Sequence, residues 1–171
     1  MKIVYKNRFF KIKKNHENYY IFEPTYRQVC VIPIVDKKKF LIIKVKRPHI
    51  DNYFYEFPAG SFSSINEKPL VAAKRELVEE TGVMLNNKNL FIKLPSIFSM
   101  ADRLKNPMHV YYVHLKNNQI KNLKIDTEEV SLIKIVTYKK IKKLILNGKF
   151  NASVPISLLF MYLIKNKIKI T

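Results

Sequence analysis

Residues Gly60–Val83 read GSFSSINEKPLVAAKRELVEETGV. The stretch holds four of the thirteen acidic residues in a chain of 171, namely Glu67, Glu76, Glu79 and Glu80. Three of them fall within five positions, inside a chain whose formal net charge is +19. Pro69 suits a first helical position, where its missing N–H costs nothing. Gly82 suits the left-handed terminator at the other end. The stretch therefore predicts a helix from Pro69 to about Thr81. At helical pitch, Glu76, Glu79 and Glu80 share an arc about 100° wide. Leu70, Val71, Ala73, Leu77 and Val78 fall beside it, on the face expected to pack on a sheet. Arg75 stands four residues before Glu79 and can pair with it.

Three neighbouring carboxylates repel one another unless something positive compensates, and one arginine does not suffice. A hard divalent cation such as Mg²⁺ takes oxygen ligands and keeps positions for water and for substrate phosphate oxygens. On a pyrophosphate such a cation neutralises charge and activates water for attack on phosphorus. The residues thus point to a metal-binding helix that works on a phosphate ester.

The spacing Gly60, Glu67, seven residues, then Arg75-Glu76-Leu77-x-Glu79-Glu80-x-Gly82-Val83 resembles the Nudix box, G-x5-E-x7-R-E-U-x-E-E-x-G-U, where U is a bulky aliphatic. Everything from Glu67 to Val83 fits in place. Six residues separate Gly60 from Glu67 where the box has five. Tyr55–Gly60, YEFPAG, is similar to the E-L-P-A-G of ADP-ribose and nucleoside-diphosphate-sugar pyrophosphatases. Lys46-Arg47-Pro48 stands where that subfamily has Q-Y-R-P, and Asn147–Phe150 is similar to its entry into a C-terminal helix. The Ser-Pro-Gly loop usual for ADP-ribose hydrolases is absent, since Leu94–Ser99 reads LPSIFS.

The resemblance implies an α/β class fold, an α/β/α sandwich around a mixed sheet. It implies hydrolysis of a nucleoside diphosphate linked to another moiety, with ADP-ribose or a nucleotide sugar as substrate and Mg²⁺ or Mn²⁺ as cofactor. It makes Glu76 and Glu80 metal ligands, Glu79 a ligand directly or through water, and the backbone carbonyl of Ala59 a further one. Arg75 would orient the glutamates. Arg47 would contact substrate phosphate, while Glu56, Ala59 and Gly60 line the site. A later acid completes it, with Glu128, Glu129 and Asp102 as candidates; the first two are preferred because they precede a strand. A dinucleoside polyphosphate or 5′-capped or triphosphate RNA hydrolase stays open within the same class. A nucleic-acid-binding module on the same fold stays open outside it.

The rest of the chain supplies strands and closing helices. Residues 3–22 read as an aromatic-rich β-hairpin with its turn at Lys13–Asn18. In the subfamily such N-terminal strands build a homodimer, so residues 1–24 are expected at a subunit contact within a single domain spanning 1–171. Gln28–Val35, Lys39–Lys46, Tyr53–Phe57, Leu90–Lys93, His109–Leu115 and Val130–Val136 read as further strands. Tyr138–Leu146 and Pro155–Lys165 read as helices, and strands mixed with helices in this way indicate an α/β or α+β class. At 11 residues, Val154–Ile164 is too short for the roughly 20 a bilayer span needs. No membrane segment or secretory signal is expected. The single cysteine, Cys30, lies in an apolar run and reads as a buried, inert thiol. Together these favour a cytoplasmic protein. Lysine dominates the 32 cations, and such a surface steers small phosphates as readily as nucleic acid.

Overall fold

The computed structural model describes residues 1–87 and 90–169. Among the described residues, ten strands and three α-helices follow one another. The expected N-terminal hairpin is present and gains a third strand. β1 (Lys2–Lys6), β2 (Phe10–Lys14) and β3 (Tyr20–Pro24) form an antiparallel sheet in that order. The run expected as one strand breaks because the Asn7 side-chain oxygen accepts from the N–H groups of Phe9 and Phe10, both at 2.8 Å. An asparagine that satisfies the backbone two and three residues on makes a turn of its own.

The second sheet is mixed. β4 (Gln28–Val35) and β5 (Lys39–Arg47) lie at its centre, with β8 (Phe91–Ile97), β9 (Met108–Leu115) and β10 (Val130–Thr137) completing the order β10-β5-β4-β9-β8. β4 runs parallel to β9 and antiparallel to β5. All but the first residue of β4 is buried, as a near-continuous apolar run covered on both faces requires. Alternate side chains feed two cores. Cys30, Ile32 and Ile34 face α2 (Tyr138–Leu146) and α3 (Ser153–Lys165), where Ile141, Leu158 and Tyr162 are buried. Val29, Val31 and Val35 face α1 (Pro69–Thr81), where Ala72, Ala73 and Leu77 are buried. This is a sheet sandwiched between helices. Among the described residues no helix is long and apolar enough to cross a membrane.

One detail of the ladder opens the site. β4 pairs with β5 at Ile34–Phe40 and Val35–Lys39, next to the connecting turn. At its other end β4 takes a different partner, β7 (Ala59–Ser61), through Gln28–Ser61, Val29–Gly60 and Cys30–Ala59. Pro33 lies between the two pairings and offers no N–H to either neighbour. The strands thus part where β6 (Asn52–Glu56), paired to β5, and β7 fold in.

Candidate functional site

The helix spans Pro69–Thr81 as expected, and Gly82 closes it at φ 73° with its N–H on the Val78 carbonyl. Its orientation differs from the expectation. Val71 is 52% exposed, and the buried stripe is Ala72, Ala73, Glu76, Leu77, Glu80 and Thr81. The helix has rolled so that two of the acids lie within the packed face. Two small alanines let it approach the sheet closely on that side, whereas a packed Val71 would turn the carboxylates to solvent. Glu76 and Glu80 are each 7% exposed, while the Glu79 side chain is 42% exposed.

Arg75 is the hub. Its Nη1 donates to Glu76 Oε1 at 2.8 Å and to Glu79 Oε2 at 3.0 Å. Nε and Nη2 donate to the two oxygens of Glu67 at 3.1 and 3.2 Å, and Nη2 also reaches the Ser61 carbonyl at 2.8 Å. The hydrogen bonds donated to Glu67 dominate in raising the Arg75 pKa, and the same contact lowers that of Glu67. The additional loop residue between Gly60 and Glu67 therefore leaves Glu67 against Arg75, with its side chain only 6% exposed.

Glu80 has no arginine. Burial pushes its pKa up to about 8, the Ala59 N–H works against that, and Glu76, Glu56 and Glu129 push the same way as burial. The Ala59 N–H donates to Glu80 Oε2 at 2.8 Å. Burial also raises Glu76, against the pull of Arg75. Gly60 is required here, since a Cβ on it would stand 2.3 Å from the Glu76 carboxyl. Arg47 grips Glu56 with two bonds, Nε to Oε1 at 3.1 Å and Nη2 to Oε2 at 2.7 Å, and sits 3.9 Å from Glu129.

These groups border a cavity of about 870 Å³. Of the residues expected there, Arg47, Glu56, Ala59, Gly60, Glu76, Glu79, Glu80 and Glu129 line it. Arg75 lies behind the acids, and Glu128 and Asp102 are not among the lining residues. Glu129 thus separates from Glu128. Its place is set by the backbone, because its carbonyl accepts from the Lys46 N–H at 3.0 Å and the Asp126 N–H donates to the Glu79 carbonyl at 2.8 Å. Lining residues with no signal in the local sequence are Gln28, Thr127 and the segment Ala152–Pro155 at the start of α3. They come from separate segments that only the fold gathers. His49, an exposed residue, also stands at the wall.

The donor set suits a hard divalent cation. It offers carboxylate oxygens, a glycine that leaves them room, and a surplus of buried negative charge that one arginine does not neutralise. Among the described residues no three acidic, histidine or cysteine side chains close on one point at ligand spacing. Glu76 and Glu79 are turned to Arg75, and Glu80 to the Ala59 N–H. Cys30, buried at the cavity wall, has its pKa raised well above the ordinary thiol range by burial and then by Glu80 and Glu56. That makes it a poor thiolate.

A search of curated proteins finds no match. A solved structure described as the crystal structure of an ADP compounds hydrolase matches with a TM-score of 0.71 at 18% identity, covering 98% of this chain and 94% of that one. At that identity the likeness is one of fold. The profile of the NUDIX domain matches residues 24–155, a span that holds the acidic helix, both central strands and the whole cavity floor. The chain belongs to the NUDIX domain family and is a Nudix hydrolase.

Proposed function

We propose that the protein is a metal-dependent pyrophosphohydrolase that cleaves a nucleoside diphosphate linked to another moiety, ADP-ribose or a nucleotide sugar. The observation that carries this reading is the grouping of Glu76, Glu79 and Glu80 with Ala59 and Gly60 on one wall of the cavity. Glu56 and Glu129 line the same cavity, with Arg47 between them. The ADP compounds hydrolase fold likeness supports the substrate class, as does the YEFPAG stretch.

Glu76, Glu80 and the Ala59 carbonyl would hold Mg²⁺ or Mn²⁺, with Glu79 binding directly or through water. When bound, the cation supplies charge neutralisation at the phosphates and a more acidic water. Arg75 holds Glu76 and Glu79 in place. Arg47 lines the cavity with Nε and Nη2 held by Glu56, which leaves Nη1 as the donor suited to a substrate phosphate. Its bond to Glu56 keeps it extended before substrate arrives. Glu129, 71% exposed at the rim, would take a proton from an attacking water.

The same reading takes the whole chain as one Nudix-like domain. It uses residues 1–24 at a homodimer contact, to which the fully exposed terminal strand β1 is suited. A cytoplasmic setting goes with a lone, buried cysteine. The test of the activity is hydrolysis of ADP-ribose and nucleotide sugars with and without Mg²⁺, read by product identity. Cleavage between the two phosphates is expected, and only with metal.

A further inference from the structure

We infer that Arg27 is a positioning residue that compensates for the lengthened loop between Gly60 and Glu67. The inference rests on the reading of the acidic helix as the catalytic element and adds a residue outside the Nudix box to it.

Arg27 embraces the loop from both ends. At the near end, the Phe62 N–H donates to the Arg27 carbonyl at 2.8 Å. At the far end, Arg27 Nη2 donates to the Glu67 carbonyl at 3.2 Å and to the Ile65 carbonyl at 3.5 Å. Between them the guanidinium lies over the Phe62 ring, 4.6 Å from its centroid, and Phe62 is 2% exposed. One side chain thus reaches from Phe62, the first buried residue of the six-residue segment, to the carbonyl of Glu67 just beyond it.

The consequence runs through Glu67. A loop longer by a residue has more conformations to lose before Glu67 meets Arg75. Ile65 shows where the slack goes, pointing outward at 71% exposure. Tying the Glu67 carbonyl down restores the reach of its carboxylate, whose Oε2 accepts from the Ser63 N–H at 2.6 Å and whose two oxygens grip Arg75. Arg75 in turn holds Glu76 and Glu79. Lysine cannot substitute. It lacks the planar guanidinium that stacks on the Phe62 ring while its Nη2 reaches both carbonyls.

The test compares Arg27→Ala and Arg27→Lys in two backgrounds, the natural loop and a loop with exposed Asn66 deleted to give the five-residue spacing. In the natural loop both substitutions should lower kcat by about tenfold, the scale of a lost outer-shell partner, with KM little changed. The Ser63 amide should exchange with solvent faster while the global melting temperature barely moves. In the shortened loop the same substitutions should cost little. Equal losses in both backgrounds would overturn the inference, as would unchanged Ser63 exchange in Arg27→Ala. If Arg27→Ala fails to fold, the Arg27→Lys pair decides on the same criteria. A Glu80→Gln control separates the two claims. If that variant keeps full activity, the catalytic reading fails, while the Ser63 exchange result still judges the clamp.

Discussion

The acidic helix and the N-terminal sheet are opposites in construction. α1 carries its charge inward. Glu76 and Glu80 are buried and crowded together, with Glu76 Oε1 held by Arg75 and Glu80 Oε2 by the Ala59 N–H. The sheet β1–β3 carries its charge outward. Lys2, Lys6, Lys11 and Lys14 are spread over it, and Tyr5, Phe9 and Tyr20 are about half exposed. Its one built-in acid, Glu23, is ion-paired on both sides, with Lys13 at 2.5 Å and Lys105 at 3.0 Å. Unbalanced charge held in a dry place is a feature kept for chemistry, since structure alone would neutralise it. Balanced charge at a surface only positions. Substitutions in the two regions should therefore separate activity from stability.

The largest effect belongs to Glu80→Gln. Turnover should fall about 10³-fold, the scale of losing several kcal/mol of charge stabilisation. The melting temperature should hold or rise, because an unpaired buried carboxylate is removed while the acceptor for the Ala59 N–H is kept. A parallel loss of fold, seen by circular dichroism, would place Glu80 with the structural acids. Next is Gly60→Ala. The added methyl would meet the Glu76 carboxyl at 2.3 Å, and the displacement should cost about 10²-fold in kcat. A wild-type rate would show that Glu76 tolerates movement. Glu129→Gln should cost about as much if it takes the proton, while Glu128→Gln should cost nothing measurable. Steady-state kinetics on the pair distinguishes them.

The smallest effect is at Glu23→Gln, and it is on stability. Hydrogen bonds from Lys13, then Lys105, hold the Glu23 carboxyl below its ordinary pKa. A lowered folded pKa means that the contribution is present above the unfolded value of about 4.3. It is lost as pH falls through the folded value. Wild type should therefore lose stability over the variant in that acid window only, by about 0.5 kcal/mol for a pair this close to solvent. Activity should be untouched. A rate defect in Glu23→Gln would break the contrast between the regions.

How far the sequence carried these conclusions differs by region for the same reason. α1 was legible because its signals are local. Pro69 and Gly82 bound it, and the acids recur at helical spacing. Its roll was not legible, since Ala72 wins the packed face over Val71 through the close approach of the sheet, a tertiary effect. β4 was legible as a near-continuous apolar run and β5 as a β-branched, largely apolar one. β7 was not. Its Ala59-Gly60-Ser61 follows a proline and looks like a breaker, and it becomes a strand only by pairing with β4. The break at Asn7 was hidden because a single side-chain bond to the backbone decides it. Choosing Glu129 over Glu128 needed the Lys46–Glu129 backbone bond, a contact across 83 residues. The departures in spacing were visible, yet the contact that accommodates the loop, Arg27, lies more than thirty positions upstream of it in the ladder partner strand's approach.

The central claim is that buried, unbalanced acids on α1 serve a metal-dependent cleavage between two phosphates. The direct test is a hydrolysis panel on the wild-type protein, with Mg²⁺ or with chelator. It would include ADP-ribose, nucleotide sugars, dinucleoside polyphosphates and 5′-capped RNA, with products identified by mass. The account predicts metal-dependent release of a nucleoside monophosphate from ADP-ribose or a nucleotide sugar. Equal cleavage with chelator, or no cleavage of any member with metal present, would contradict it.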